Sequence, residues 1–274
     1  MFLTTLFLFL SLGISSFVFC YYHLYTQWYC YLLLILSIPL LYLILFAIYL
    51  ILLFIASLFI NKKKEVKKPN KFINFFVKET CFQLLLLSNT KVHFSSSKEF
   101  DPKKKYMVIS NHISNFDPIA LIVKLGIDPL MCITKKENIS IPICGAFIHK
   151  AGFISLDRNN FHSSVKSISK AIEYIQKDES SVYVCPEGTR SKSLELLPFH
   201  AGTFKIALNS KSDIVVCYIQ NTNLIHKNFP FKRTHVYVKV LDVIPYEQIK
   251  DLSSQQVANL MFGIIKKEEM ERKK

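Results

Sequence analysis

Residues 1–60 contain no Asp, Glu, Lys or Arg. A stretch this long without a formal charge cannot form the surface of a water-soluble domain, so it constrains the fold more than any other feature of the chain. Residues 31–60 are interrupted only by Ser37, Pro39 and Ser57. As a helix this run is about 45 Å long against a hydrocarbon core of about 30 Å. Pro39 offers a place to kink. A weaker apolar run, 2–19, precedes it across Tyr21, Tyr22, His23, Tyr25, Gln27, Trp28 and Tyr29, the kind of aromatic cluster that settles at headgroup level. The simplest reading is a two-helix anchor over residues 1–60, with a cleaved leader or a pair lying in one leaflet as the alternatives.

The net charge of +14 therefore falls entirely on residues 61–274. Lys62, Lys63, Lys64, Lys67 and Lys68 follow the apolar run at once. By the positive-inside rule they place residues 61 onward in the cytosol, and they suit contact with anionic lipid. The seven cysteines are Cys20, Cys30, Cys81, Cys132, Cys144, Cys185 and Cys217. They stand singly and odd in number, which fits neither a zinc site nor an oxidised framework, so no metal is expected. In residues 61–274, β-branched and aromatic runs at 106–109, 130–133, 152–156, 181–185, 214–220 and 235–241 alternate with helical stretches at about 70–88, 118–124, 160–177, 201–209 and 254–272. That alternation predicts an α/β fold, a mixed sheet flanked by helices.

After the strand near 110 comes Asn111-His112-Ile113-Ser114-Asn115-Phe116-Asp117-Pro118. Five positions are about 140° around a helix, so His112 and Asp117 meet only if a turn intervenes and a helix begins near Asp117. A carboxylate there would fix the imidazole tautomer and strengthen it as a general base. The plainer reading is an Asp117 N-cap with Pro118 at the first helical position and an ordinary loop histidine. Cys185 as a nucleophile is weighed and set below its reading as a small buried hydrophobe.

Further along stand Lys135-Lys136-Glu137, Ile141-Pro142, Gly145, Gly152-Phe153-Ile154-Ser155-Leu156-Asp157-Arg158, Pro186-Glu187-Gly188-Thr189-Arg190-Ser191 and Phe199-His200-Ala201-Gly202-Thr203-Phe204. In this order and spacing the series resembles the glycerolipid acyltransferases, specifically the 1-acylglycerol-3-phosphate acyltransferases, over about residues 70–225. The resemblance implies that Asn111, His112 and Asp117 form the catalytic block, with His112 and Asp117 as the reacting pair. It also implies that Asn111, Arg158, Glu187, Gly188, Thr189 and Arg190 bind substrate. Cys185 stands where the family commonly has an aromatic residue, His200 where it has lysine, and Val216 where it has proline. Of 34 lysines and arginines only Arg158, Arg190, Arg233 and Arg272 are arginine. Two of these four fall in the motifs, where a guanidinium fork grips a phosphate as an ammonium cannot.

The implied reaction moves a fatty acyl group from acyl-CoA, a co-substrate, to the free hydroxyl of lysophosphatidic acid, giving phosphatidic acid in phospholipid biosynthesis. No cofactor is called for. The implied setting is the endoplasmic reticulum membrane with the domain facing the cytosol, and the partners are the lipid bilayer, lysophosphatidic acid and acyl-CoA. Related enzymes acting on glycerol 3-phosphate or another lysophospholipid are the near alternatives. A serine hydrolase using Ser110 or Ser114 lacks a G-x-S-x-G elbow. A membrane-tethered basic lipid-binding protein without catalysis is the alternative of another class, and no nucleic-acid module accompanies the charge.

Overall fold

The computed structural model describes residues 2–157 and 160–272, and the chain divides into two units, Met1–Asn61 and Lys62–Lys274. The first is a helical hairpin of α1 (Phe2–Tyr21) and α2 (Trp28–Leu58). Leu3, Phe7, Ser11, Ser15 and Phe19 of α1 are buried. Their four-residue spacing puts them on one face. On that face Phe7 meets Tyr42 edge-on with ring centroids 5.8 Å apart, and Ser37 Oγ donates to Ser15 Oγ over 2.8 Å. Helix α2 begins at Trp28, earlier than its apolar run suggests, because extended Gln27 ends the connecting turn, and it continues through Pro39 to Leu58. Both helices are long and apolar enough to cross a membrane.

The second unit is a seven-stranded mixed sheet between two layers of helices. In chain order it contains α3 (Lys71–Leu87), β1 (Thr90–Ser96), β2 (Met107–Ser110), α4 (Asp117–Lys124), β3 (Leu130–Lys135), α5 (Cys144–Ala151), β4 (Ile154–Leu156) and α6 (Phe161–Gln176). Then follow β5 (Ser181–Val184), α7 (Lys205–Ser210), β6 (Ile214–Gln220), α8 (Ile225–Asn228), β7 (Thr234–Ile244) and α9 (Ser254–Glu271). The spatial order is β1-β7-β6-β2-β5-β3-β4. All neighbours are parallel except β6 and β7, which are antiparallel.

Alternation along the strands feeds two cores. Met107, Ile109, Val182, Val184, Ile214 and Val216 face Ala171 and Tyr174 of α6 and Met261 and Ile265 of α9. Val108, Tyr183, Val215 and Cys217 face Leu85 of α3 and Ala120 and Leu121 of α4. The helices start where the sequence supplies caps. Asn70 and Asn160 accept from the backbone N–H groups of Ile73 and Ser163, and Ser253 with Gln256 closes a capping box.

Three elements lie outside the sequence-based expectation: β1, α5 and the four-residue α8. Strand β1 has only Val92 buried, since it is an edge strand with polar residues on both faces. Helix α5 is eight residues of mixed polarity. It is specified by close packing, because a Cβ on Gly145 would stand 2.1 Å from the Ile139 carbonyl oxygen.

Candidate active site

Strand β2 lies between β5 and β6, parallel to both. The segments leaving their carboxyl ends, 111–117, 185–191 and 221–222, therefore converge at one end of the sheet, where open α/β sheets place their ligands.

Helix α4 begins at Asp117 itself, with Phe116 at the cap position and Pro118 in the first turn. Asp117 is thus not the N-cap of the plainer reading, and its side chain turns back over the loop. Its Oδ2 accepts from His112 Nδ1 at 2.8 Å and from the backbone N–H groups of Ile113 and Ser114 at 2.8 and 2.9 Å. Its Oδ1 accepts from Thr222 Oγ1 at 2.5 Å. Asp117 is fully buried while the His112 side chain keeps 17% of its surface exposed. In the neutral ring, an acceptor facing Nδ1 holds the proton there, so Nε2 carries the lone pair available to a substrate proton.

The main chain of His112 is held at both ends by the segment after β5. Its N–H donates to Glu187 Oε1 over 2.6 Å, and its carbonyl accepts from the Ser191 N–H over 2.8 Å. The other oxygen of Glu187 accepts from the Leu197 N–H at 3.0 Å. Both Glu187 oxygens are therefore engaged within the protein. The same holds for Asn111, whose Oδ1 accepts from the Ile219 N–H and whose Nδ2 donates to the Ile219 carbonyl, at 2.8 and 2.9 Å. Gly188 has φ +69°, and a Cβ there would meet the His200 ring at 2.8 Å. The positive φ is what calls for glycine, since the His200 side chain can give way.

Thr189 and Arg190 are exposed, and Arg190 meets no carboxylate among the described residues, leaving its guanidinium open to an anion. Arg158 lies outside the described residues. Ser110 Oγ donates to the Asn111 carbonyl and lies 2.8 Å from Tyr183 Oη, while Ser114 Oγ accepts from the Phe116 N–H. Neither serine is joined to His112 as a hydrolase nucleophile must be.

Sequence reasoning missed Thr222 and Tyr183. Thr222 reaches Asp117 from 105 positions away and carries no motif. Tyr183 reads as one more apolar strand residue, yet its Oη lies 2.9 Å from Cys185 Sγ. The Cys185 sulfur in turn acts on the charge of the His112 ring. Burial acts to lower the His112 pKa, and is outweighed by the Cys185 sulfur and the Asp117 carboxylate, which raise it to about 10. Glu187 is raised to about 7 by burial, against the lowering effect of its two N–H donors.

Comparison with known proteins gives a family match, curated relatives and a shared fold. The Acyltransferase family model matches residues 91–220, which contain every segment of the site except Thr222. The 1-acyl-sn-glycerol-3-phosphate acyltransferase of Saccharomyces cerevisiae is 34% identical over 154 residues, which cover 54% of this chain and 50% of that one. The chain thus spans half the length of this relative. The enzyme of the same description from Escherichia coli is 28% identical over 181 residues, covering 65% and 71%. The crystal structure of the 1-acyl-sn-glycerophosphate acyltransferase from Thermotoga maritima superposes with a TM-score of 0.62 at 17% identity, covering 82% of this chain and 89% of that one. The fold is shared.

Proposed function

We propose, from the match of residues 91–220 to the Acyltransferase family model, that this chain transfers a fatty acyl group from acyl-CoA to the free hydroxyl of 1-acylglycerol 3-phosphate. The observation that carries this reading is the 2.8 Å bond between His112 Nδ1 and buried Asp117 at the end of the central strand. His112 Nε2 takes the proton of the acceptor hydroxyl as its oxygen attacks the thioester carbonyl, and Asp117 stabilises the imidazolium that forms. The tetrahedral intermediate then expels the CoA thiolate, which the same ring protonates. Arg190, with Arg158, grips the acceptor phosphate and turns a two-body encounter into an oriented one. The hydrophobic hairpin keeps the chain at the bilayer that holds acceptor and product. The lysines from Lys62 onward set the catalytic unit on the cytosolic side, at the endoplasmic reticulum.

The test is an acceptor and donor panel. Detergent-purified protein is given labelled acyl-CoA, or the same chain on a carrier-protein thioester, with lysophosphatidic acid, glycerol 3-phosphate, another lysophospholipid or monoacylglycerol. Lysophosphatidic acid with acyl-CoA should give the highest kcat/KM. Arg190→Lys keeps the charge and loses the fork, which should remove about 1.5 to 3 kcal/mol of transition-state binding for lysophosphatidic acid, tenfold to a hundredfold or more. It should change little for monoacylglycerol, which has no phosphate. An equal proportional loss on both acceptors would exclude Arg190 as the phosphate ligand.

A further inference from the structure

The connection from β6 to β7, residues 221–233, leaves the sheet at the same end as His112 and Asp117. It is tied to the site twice. Thr222 Oγ1 donates to Asp117, and the ring of His226 stands edge-on to Phe116, next in sequence to Asp117, with centroids 5.1 Å apart. Beyond these ties the connection projects Phe229-Pro230-Phe231, with Phe229 55% and Phe231 96% exposed. A large aromatic side chain left almost wholly in water beside an active site calls for an occupant.

The surrounding charge says which. Lys227, Lys232 and Arg233 are exposed, and between Asp213 and Asp242 the chain contains no acidic residue. On the neighbouring edge strand, exposed Lys91 lies in register with His235, and residues 88–98 are also free of Asp and Glu. Arg233 Nε donates to the neutral Asn89 side chain at 3.1 Å, so that bond leaves its positive charge uncompensated. Aromatic residues at a tip, ringed by cations, match the interface of a bilayer: rings enter the headgroup boundary and cations meet anionic phosphates. A protein partner fits less well, since lysine is depleted at protein interfaces.

We propose that Phe229-Pro230-Phe231 inserts into the headgroup layer of an anionic membrane and holds the mouth of the active site at the lipid surface. The inference goes beyond acyl transfer and does not depend on the chemistry of His112. A chain inactive on every acceptor would still dock here.

The sequence contains one tryptophan, Trp28, which makes a direct test available. In full-length protein carrying Trp28→Phe, a single new tryptophan is placed by Phe231→Trp, or as a control by Gln248→Trp. Gln248 is exposed and follows β7, at the opposite end of the sheet. Each protein is reconstituted into phosphatidylcholine vesicles containing phosphatidylglycerol, with and without brominated acyl chains. Brominated chains should weaken Phe231→Trp emission at least about twofold and leave Gln248→Trp unchanged. Omitting phosphatidylglycerol should reduce the quenching. No quenching at Phe231→Trp, or equal quenching at both positions, overturns the proposal.

Discussion

His112 is poised by opposing influences, and its titration should be visible in the reaction. A ring whose pKa is raised to about 10 is protonated at neutral pH, while general-base catalysis needs Nε2 unprotonated. For the free enzyme kcat/KM should therefore climb with pH through the neutral range and level off only near the raised value. Cys185→Ala removes one of the groups that raise it, so the acidic limb of the profile should move to lower pH with activity retained. Loss of all transfer in Cys185→Ala would instead make the thiol a nucleophile. Thr222 acts on the other side of the pair. Thr222→Val leaves the buried Asp117 Oδ1 without its donor, which should cost about 1–3 kcal/mol in denaturant unfolding and lower kcat. Thr222→Ser, which restores the hydroxyl, should recover both, whereas a variant as stable and active as the parent would remove Thr222 from the account. The two residues differ in how far the sequence exposes them. His112 and Asp117 stand five positions apart in a recognisable block, but their contact requires a helix that begins at Asp117. Thr222 became a partner only through β2–β6 pairing, which no local pattern encodes.

At the scale of elements, the site is a junction between strand ends. Strands β2, β5 and β6 were legible because each is an apolar run between polar stretches, and α6 and α9 because their caps and periodicity agree. Edge strand β1 was not, since a strand with one buried residue has no alternation to read. Helix α5 owes its place to the backbone contact at Gly145 rather than to an apolar face. The E-G-T-R segment was legible as a motif, but its attachment was not. Glu187 joins the end of β5 to the backbone of His112 and to Leu197. Glu187→Gln would turn an amide N–H toward one of these two donors, losing that bond at a cost of about 1–3 kcal/mol. The raised pKa of Glu187 adds a pH signature. Relative to an unfolded value of 4.5, the folded protein holds this proton more tightly. The contribution to stability is thus full below pH 4.5 and lost as pH rises through about 7. Chemical denaturation between pH 4 and 8 should show that decline in the parent and a flatter curve in Glu187→Gln. Identical curves would show that Glu187 does not titrate in this window.

At the scale of the whole molecule, an uncharged hairpin and a basic α/β unit fit the proposed reaction, in which acceptor and product reside in lipid and the donor thioester is soluble. The division was plain in the sequence because charge changes abruptly after residue 60. The convergence of three strand ends was not, since strand order in a sheet is a long-range property. The proposed reaction turns on His112 as the base of the acyl transfer. The most direct test is the rate at which label passes from acyl-CoA to lysophosphatidic acid in the parent and in His112→Ala, with both proteins shown to be folded by thermal unfolding. The ring belongs to neither hydrophobic core, so the variant should fold while its rate falls by about 10² to 10⁴. A folded His112→Ala protein within a few-fold of the parent would contradict the assignment.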